Sequence, residues 1–233
     1  MAEYENNAVS FLLLSGGLGT RSRNAEPKQF YELAGHPLVA HALIAIRNID
    51  VIAETVVNAP PQYEGRTHDL MRNYCDRKPF KVVPAGKTRQ ESTHLLAQNA
   101  TYDQVILHEA ARPFATTEMF EDLIAHPEQN VGYFAEIPFS MCRIARKRLV
   151  VKSGVSREKV FDIQLPQKFN KSTLLTAHDA AVSAGLKYTE DAVLVSEQVG
   201  VSVHAMIGNS RNLKVTNPED FAIAEQIFRK DQT

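Results

Sequence analysis

Short apolar runs alternate along the chain with amphipathic stretches whose apolar residues recur every three or four positions. Runs rich in Val, Ile, Leu and Phe predict buried strands, and the longer periodic stretches predict helices. The predicted strands lie at 8–14, 51–59, 80–85, 131–139 and 201–207, with a further one at the start of 104–114. The predicted helices lie at 36–49, 88–99, 170–185 and 216–230, with a further one after Thr116-Thr117. This alternation predicts an α/β, Rossmann-like fold with a mostly parallel sheet flanked by helices, and a ligand at the carboxyl ends of the strands.

Residues 140–158 interrupt the alternation. The stretch is basic, has short β-patterned runs, and contains a Ser153-Gly154 pair that is typical of a turn. We interpret it as a β-arm inserted into a single domain spanning 1–233. A projecting arm has an apolar face that a second copy of the chain would cover, so it predicts a homodimer. The alternative is a solvated surface hairpin.

Composition narrows the class of protein. Hydrophobic residues make up 44% and charged residues 23%, as in ordinary globular proteins, and the net charge of -1 gives no basic field for nucleic acid. The two cysteines, Cys75 and Cys142, have no metal-type spacing. The N-terminal residues lack a signal-peptide pattern, and no run approaches the roughly 20 apolar residues of a membrane span. We therefore expect a cytoplasmic protein that binds neither nucleic acid nor membrane.

A glycine-rich loop, "SGGLGTRSRNAEPKQF", follows the first predicted strand at residues 15–30. It is not a dinucleotide fingerprint, because Ser22 stands where the third glycine would be. It is not a P-loop either, because no Lys-Ser/Thr pair follows at the required spacing. The "AGKT" at 85–88 ends like a Walker motif but has Lys81 where the earlier glycine should stand, so we regard that match as accidental.

The loop nevertheless has the features of a phosphate site. Glycines after a strand let backbone N–H groups approach phosphate oxygens. Arg21 and Lys28 add positive charge from the two ends of the loop, and fixed cations around a polyphosphate are what nucleotidyl transfer requires. The alternative is an ordinary loop whose charges face water.

Five motifs in order resemble one family. They are "GGLGTRSRNAEPKQF", "AGKTRQES", "ILHEAARPF", "QLPQKF" and "NLKVTNPEDFAIAE". Together they are similar to the signatures of the cytidylyltransferases that act on polyol phosphates, whose members include the 2-C-methyl-D-erythritol 4-phosphate and ribitol-5-phosphate enzymes. The resemblance covers nearly the whole chain. It implies a reaction of CTP with a polyol phosphate that gives a CDP-polyol and pyrophosphate.

The resemblance also implies roles for individual residues. The catalytic cations would be Arg21, Lys28 and Lys214. CTP would be bound by Ser15, Gly16, Gly17, Gly19, Gly86, Ser92, Glu109 and Ala110. The acceptor would be bound by Arg112, Arg157 and Thr189, with Arg157 reaching the neighbouring subunit's substrate in the dimer. Mg²⁺ would bridge the triphosphate, with Glu109 as a candidate ligand.

The same resemblance implies that two nearby residues have structural roles. Arg89 would brace the turn at 85–92 rather than contact ligand. His108 would be a satisfied, half-buried histidine.

Departures from the family pattern concern the acceptor. Met141-Cys142 stand where the family resemblance implies Asp-Thr, Leu165 stands where Thr is expected, and Glu109 replaces Asp. Loss of polar recognition groups indicates a less hydroxyl-rich or differently shaped acceptor, or a weak enzyme. We favour 2-C-methyl-D-erythritol 4-phosphate, and hence isoprenoid precursor synthesis.

The sequence leaves three alternatives open. One is ribitol 5-phosphate or another polyol or sugar phosphate as acceptor, which would point to cell-surface polymers. Another is a sugar-phosphate nucleotidyltransferase that uses a donor other than CTP. The third is a non-catalytic CTP-binding relative with a decayed acceptor site.

Overall fold

In the computed structural model, residues 7–18 and 26–231 are described, and the fold is built on a seven-stranded sheet. Its strands are β1 (Val9–Leu14), β4 (Ile52–Ala59), β5 (Phe80–Pro84), β6 (Gln104–Glu109), β7 (Val131–Glu136), β10 (Phe161–Asn170) and β11 (His204–Ile207). They are ordered β11-β7-β10-β6-β1-β4-β5. β10 runs antiparallel to β6 and β7, and the remaining neighbours are parallel. The predicted mostly parallel α/β sheet is confirmed.

Helices cover both faces of this sheet. They are α1 (Ala40–Ile46), α2 (Glu64–Tyr74), α3 (Arg89–Asn99), α4 (Thr117–Ala125), α5 (Lys171–Ser183), α6 (Asp191–Val199) and α7 (Pro218–Asp231). β1 shows why two layers form: Phe11 and Leu13 enter one apolar core, and Leu12 between them enters the other. Alternate side chains of a strand point to opposite faces, so a continuous apolar run is buried on both.

Short polar segments fix where the helices start and end. The Thr88 side chain accepts a hydrogen bond from Glu91 N and begins α3, and the Asn170 side chain does the same from Thr173 N for α5. α5 is followed by Gly185, whose φ of 66° lets the backbone turn back, so that Gly185 N donates to Val182 O and Leu186 N donates to Ala181 O. These caps agree with the predicted helix limits.

The segment predicted as helix 36–49 begins later than expected. β2 (Glu32–Leu33) and β3 (His36–Pro37) form a small hairpin, and α1 starts only at Ala40. Ala34 and Gly35 have φ of 48° and 81°, which is the positive-φ pair of a tight hairpin turn. The turn places Pro37 in a short strand rather than in a helix.

A two-stranded hairpin lies within the stretch predicted as an arm, but its turn is not where the sequence predicted it. β8 (Met141–Ala145) and β9 (Val150–Val155) pair with each other, and residues 146–149 form the turn. Ser153-Gly154 lie inside β9, opposite Arg143 and Cys142. The turn falls instead at the basic run 146–148, the most polar part of the arm, and ends at Leu149 with φ of 50°.

Besides the β2–β3 hairpin, three elements were not assigned from the sequence: α2, α6 and the long strand β10. β10 carries the "QLPQKF" motif and lies between β6 and β7 in the sheet. Within the described ranges, no helix has the length and apolar character needed to cross a membrane.

Candidate active site

A cavity of about 610 Å³ opens at the carboxyl edge of β1, β4 and β6. The parallel register brings Leu14 beside Glu109, so the residues after β1 and β6 meet at one place. The cavity is lined by nine of the predicted site residues: Ser15, Gly16, Gly17, Lys28, Gly86, Ser92, Glu109, Ala110 and Lys214. Two predicted residues, Gly19 and Arg21, fall in 19–25, outside the described residues.

The backbone at Ser15 is fixed by side chains on both sides. Ser15 N donates to Asn58 Oδ1 at 2.6 Å, and Gln29 Nε2 donates to Ser15 O at 2.6 Å. A Cβ added to Gly16 would overlap Ala85 Cβ and lie 2.9 Å from Asn58 Nδ2. Glycine is therefore required at Gly16 because the chain passes directly against β4 and the residue after β5.

A second turn, at residues 85–92, forms the facing wall. Gly86 N donates to Ser92 Oγ at 3.0 Å, and Lys87 N donates to Glu91 Oε2 at 2.8 Å. A Cβ on Gly86 would lie 2.7 Å from Glu91 Cβ and from Ser92 N, so this turn too is closed around a glycine. Ser92 therefore acts first as the acceptor that shapes the turn.

Two cations are brought together by one backbone segment. Lys28 Nζ donates to Val215 O at 2.6 Å, and the preceding residue, Lys214, pairs through Nζ with Glu109 Oε2 at 2.7 Å. Val215 N in turn donates to Ala111 O at 2.7 Å, which ties the segment to the end of β6. Two lysines separated by 186 positions in the chain therefore face the same cavity.

Glu109 is the anionic centre of this arrangement. The residue is 7% exposed, and its carboxylate accepts from Arg112 Nε at 2.9 Å as well as pairing with Lys214. Burial alone would raise the pKa of Glu109, but the charges of Lys214 and Arg112 outweigh it, and the pKa is lowered. The carboxylate is therefore ionised and holds Lys214 in place.

His108 lies directly behind this wall. It is fully buried rather than half-buried as expected, and its Nε2 lies 3.1 Å from Arg112 O. Burial lowers the pKa of His108 to about 4, so the ring is neutral and donates its Nε2–H to that carbonyl. Its Nδ1 is buried with no hydrogen-bond partner among the described residues, so His108 supports Arg112 but is not the satisfied, half-buried histidine that was expected.

The donor set limits what metal the site can hold. Glu109 is the one carboxylate among the described residues that line the cavity, and both of its oxygens already meet cations. The described part of the chain contains no group of three or more His, Cys, Asp or Glu able to hold a metal ion. These residues fit a divalent ion carried in by a triphosphate, with Glu109 as at most one protein ligand, rather than a resident metal centre.

A second groove, of about 1280 Å³, adjoins the first and shares Lys214 with it. Arg112 and Arg157 line it, together with apolar side chains from the base of the arm. Arg112 is 6% exposed and donates to Glu109, to Asn212 O and to Ile163 O, so its main contacts join elements of the protein. Arg157 donates to Pro138 O at 2.8 Å and lies at the groove of its own chain.

The residues expected to alter the acceptor site lie elsewhere. Met141 and Cys142 are in β8, outside the lining of the groove, whereas Pro138 and Phe139 line it. Leu165 is 2% exposed and packs in the core beneath the sheet, because alternate residues of β10 point away from the groove. The interpretation that these three residues replace acceptor contacts stays a prediction.

One predicted residue lies outside both cavities, and two residues that were not predicted support the cavity wall. Thr189 is exposed and lines neither cavity. Asn58 and Gln29, which the sequence reasoning missed, hold Ser15, and the Nδ2 of Asn58 is buried with no hydrogen-bond partner in the described ranges. A polar residue next to the end of the apolar strand "TVVNA" was the available signal for Asn58.

Comparison with known proteins gives a consistent result. The family model IspD, 2-C-methyl-D-erythritol 4-phosphate cytidylyltransferase, matches residues 9–230. A relative of that name from Clostridium botulinum (strain Okra / Type B1) is 31% identical over 224 residues, which is 95% of this chain and 97% of the relative.

Solved structures agree. The 2-C-methyl-D-erythritol 4-phosphate cytidylyltransferase from Thermus thermophilus is 27% identical, with a TM-score of 0.77 over 95% of this chain and 99% of that one. The 4-diphosphocytidyl-2C-methyl-D-erythritol synthase from Anaerococcus prevotii is 21% identical, with a TM-score of 0.83 over 97% of this chain and 99% of that one, and shows the shared fold.

A Rossmann-like sheet with two glycine turns and two lysines at its carboxyl edge is the architecture of a nucleotidyltransferase, and the matches agree with that class. The chain belongs to the 2-C-methyl-D-erythritol 4-phosphate cytidylyltransferase family. The family resemblance drawn from the five motifs is thereby confirmed.

Proposed function

We propose that the chain transfers a cytidylyl group from CTP to 2-C-methyl-D-erythritol 4-phosphate, releasing pyrophosphate, as a step of isoprenoid precursor synthesis. One observation carries this proposal: Lys214 lines both the smaller cavity and the adjoining groove. A cation shared by two sites lies where a donor phosphate and an acceptor phosphate would meet. The names of the matched relatives support the identity of both substrates.

In this proposal the smaller cavity binds CTP. The turns at Ser15–Gly17 and at 85–92 supply closely packed backbone, which suits recognition of a flat base edge. Lys28 and Lys214 face the triphosphate, and Arg21, which lies outside the described residues, stays a predicted member of this set. The cavity is of the size that encloses a small-molecule ligand.

The chemical step needs positioned charge rather than a protein base. An oxygen of the acceptor phosphate forms a bond to the α-phosphorus, and the bond from that phosphorus to the bridging oxygen of pyrophosphate breaks with its electron pair. The acceptor phosphate is already ionised at neutral pH, so no side chain has to remove a proton. Lys28 and Lys214 stabilise the charge on the phosphorus oxygens in the transition state.

A divalent cation, Mg²⁺, fits the proposal as a companion of the triphosphate. Glu109 is the candidate protein ligand, and the ion would neutralise charge on the phosphate oxygens. Both Glu109 oxygens contact cations in the ligand-free chain, so we expect Lys214 to transfer from Glu109 to phosphate when nucleotide binds.

The groove is the proposed acceptor site. Arg112 and Lys214 provide positive charge on its inner side, and Arg157 provides it from the arm. Arg157 was predicted to serve the neighbouring subunit, with Thr189 assisting; both roles stay predictions.

The arm supports a proposed homodimer. Its two strands pair only with each other among the described strands, and Leu149 and Val151 are 83% and 64% exposed. An isolated two-stranded hairpin is marginal in water, so a partner that covers this face would stabilise it. Sedimentation of the wild type should give a dimer, and Val151→Lys should shift it toward monomer.

The proposal is tested by pyrophosphate release from each of the four common nucleoside triphosphates against a panel of polyol phosphates. We expect turnover only with CTP and highest with 2-C-methyl-D-erythritol 4-phosphate. Preference for another nucleotide or for ribitol 5-phosphate would replace the proposed reaction. CTP binding without turnover of any acceptor would identify a non-catalytic relative.

A further inference from the structure

A buried ion pair joins the nucleotide cavity to helices behind it. Arg89, the first residue of α3, lines the cavity, and its Nη1 donates to Asp191 Oδ2 at 2.6 Å. Asp191 is the first residue of α6 and is 1% exposed. The two residues are 102 positions apart, so the pair is a tertiary connection rather than a local one.

Asp191, on α6, is contacted by side chains of two other helices, α3 and α5. Besides Arg89, its carboxylate accepts a long hydrogen bond from Thr93 Oγ1 of α3 at 3.4 Å, and its Oδ1 lies 3.1 Å from His178 Nε2 of α5. His178 is fully buried. Burial would raise the pKa of Asp191, but the Arg89 charge and the His178 hydrogen bond prevail and lower it. Asp191 is therefore a buried, fully ionised anchor.

The position of Arg89 makes this anchor necessary. Arg89 stands in the first turn of α3, where the helix dipole disfavours a positive charge, and Asp191 offsets that charge. Arg89 directly follows Thr88, the cap of α3 in the turn at 85–92. Its Nη2 lies 3.5 Å from Glu190 Oε2, a looser ion pair, and its Nε is buried with no hydrogen-bond partner in the described ranges. The shorter Asp191 bond is therefore the contact that orients the guanidinium.

We propose that Asp191 is a positioning residue of the nucleotide site: it holds Arg89, and through Arg89 it fixes the turn at 85–92 that walls the cavity. The inference rests on the proposed function only in assigning that turn to CTP. Without the Asp191 charge, Arg89 loses its orientation, and Gly86 and Ser92 no longer present a fixed surface. Neither Arg89 nor Asp191 needs to contact the reacting atoms.

The test is a double-mutant cycle of Arg89→Met, Asp191→Asn and the pair together, followed by two readouts. In ligand-free protein, amide hydrogen exchange of residues 86–92 should accelerate in each single variant. Calorimetric titration should show CTP Kd raised about tenfold in each, and the double variant should be no weaker than the weaker single one. The KM for the acceptor should stay within about twofold of wild type, because the groove does not contact the pair.

Matched variants keep the result interpretable. Asp76→Asn removes an arginine–aspartate pair of similar length, Arg47 Nη2 to Asp76 Oδ2 at 2.7 Å, that is exposed on another face. It should change neither readout. If Asp191→Asn folds poorly, Arg89→Lys replaces it, because it retains the charge and one donated bond and should give an intermediate Kd.

Two outcomes would overturn the inference: unchanged exchange at 86–92 in Asp191→Asn, or strictly additive effects in the double variant. Failure of the proposed function looks different. A wild type that bound no CTP would refute the nucleotide assignment, while exchange in the ligand-free protein would still decide whether Asp191 fixes the turn.

Discussion

The cavity and the groove share Lys214 but are built in different ways. The cavity is made at the carboxyl edge of parallel strands, and its backbone is held by buried side chains such as Asn58, Gln29 and Glu109. The groove is made by the base of the arm and by the loop after β11, and Phe139 and Ile207 on its wall are 73% and 68% exposed. One site is pre-formed, and the other presents apolar surface that still has to be covered.

This difference indicates where specificity resides. A closed set of glycine turns and cations suits one fixed ligand, the donor. An open groove with exposed apolar walls takes its final shape only when the acceptor or a second subunit binds to it. We therefore expect substitutions at the cavity to have large effects on turnover, and substitutions at the groove to have small effects confined to the acceptor.

The largest effect is expected from Lys214→Met. It removes the cation shared by the two sites, and kcat/KM should fall about 10²–10³-fold, the usual result of losing one preorganised charge donor. The matched control is Lys81→Met, because Lys81 Nζ pairs with the buried Glu54 at 3.0 Å outside both cavities. Steady-state pyrophosphate release should be near normal in the control. Equal losses in both variants would show that the effect is structural.

The next effect is on the free energy of unfolding, and it comes from His108, which is buried behind the cavity. The folded pKa of His108 is about 4, below the unfolded value near 6.5. Between these values the unfolded chain binds a proton that the folded chain does not, so stability falls as pH drops from about 6.5 to about 4. The shift corresponds to about 3 kcal/mol.

Urea unfolding at pH 7, 6 and 5 measures this dependence. His108→Gln should flatten it, leaving the smaller contributions of His41 and His94, whose pKa values burial also lowers. An unchanged slope in His108→Gln would contradict the assignment.

A smaller effect is expected from Gly86→Ala. The added methyl would lie 2.7 Å from Glu91 Cβ and from Ser92 N, so the turn must shift. We expect the KM for CTP to rise about tenfold, with the acceptor KM little changed, because overpacking of this kind costs about 1–3 kcal/mol. Gly65→Ala, where the new Cβ meets no described atom within 4 Å, serves as control. If the acceptor KM rose more than the CTP KM, the assignment of the turn at 85–92 to the CTP site would be contradicted.

The smallest effect is expected in the groove. Phe139→Ala should raise the acceptor KM by about threefold and leave the CTP KM unchanged, because a side chain this exposed contributes less than about 1 kcal/mol of apolar contact. Val182→Ala, exposed on α5, is the control and should change neither constant. A fall in kcat/KM for Phe139→Ala as large as that expected for Lys214→Met would remove the distinction between the two sites.

The sequence was informative at positions where the function of the site demands one particular type of residue. Glycines beside a strand and lysines within motifs predicted the cavity. Close approach of the backbone to a phosphate requires glycine, and a fixed positive charge requires a residue such as lysine. It was less informative where tertiary packing decides the outcome. Nothing local shows that Leu165 faces the core, that Pro138 and Phe139 line the groove, or that Asp191 pairs with Arg89. Likewise Ser153-Gly154 has turn composition, yet strand pairing with β8 placed it inside β9.

The most direct test of the account is a competition. Purified protein is incubated with CTP, Mg²⁺ and equal amounts of 2-C-methyl-D-erythritol 4-phosphate and ribitol 5-phosphate, and the products are identified by mass spectrometry. We expect 4-diphosphocytidyl-2-C-methyl-D-erythritol as the dominant product, with pyrophosphate in equal amount. CDP-ribitol as the main product, or no cytidylyl product at all, would contradict it.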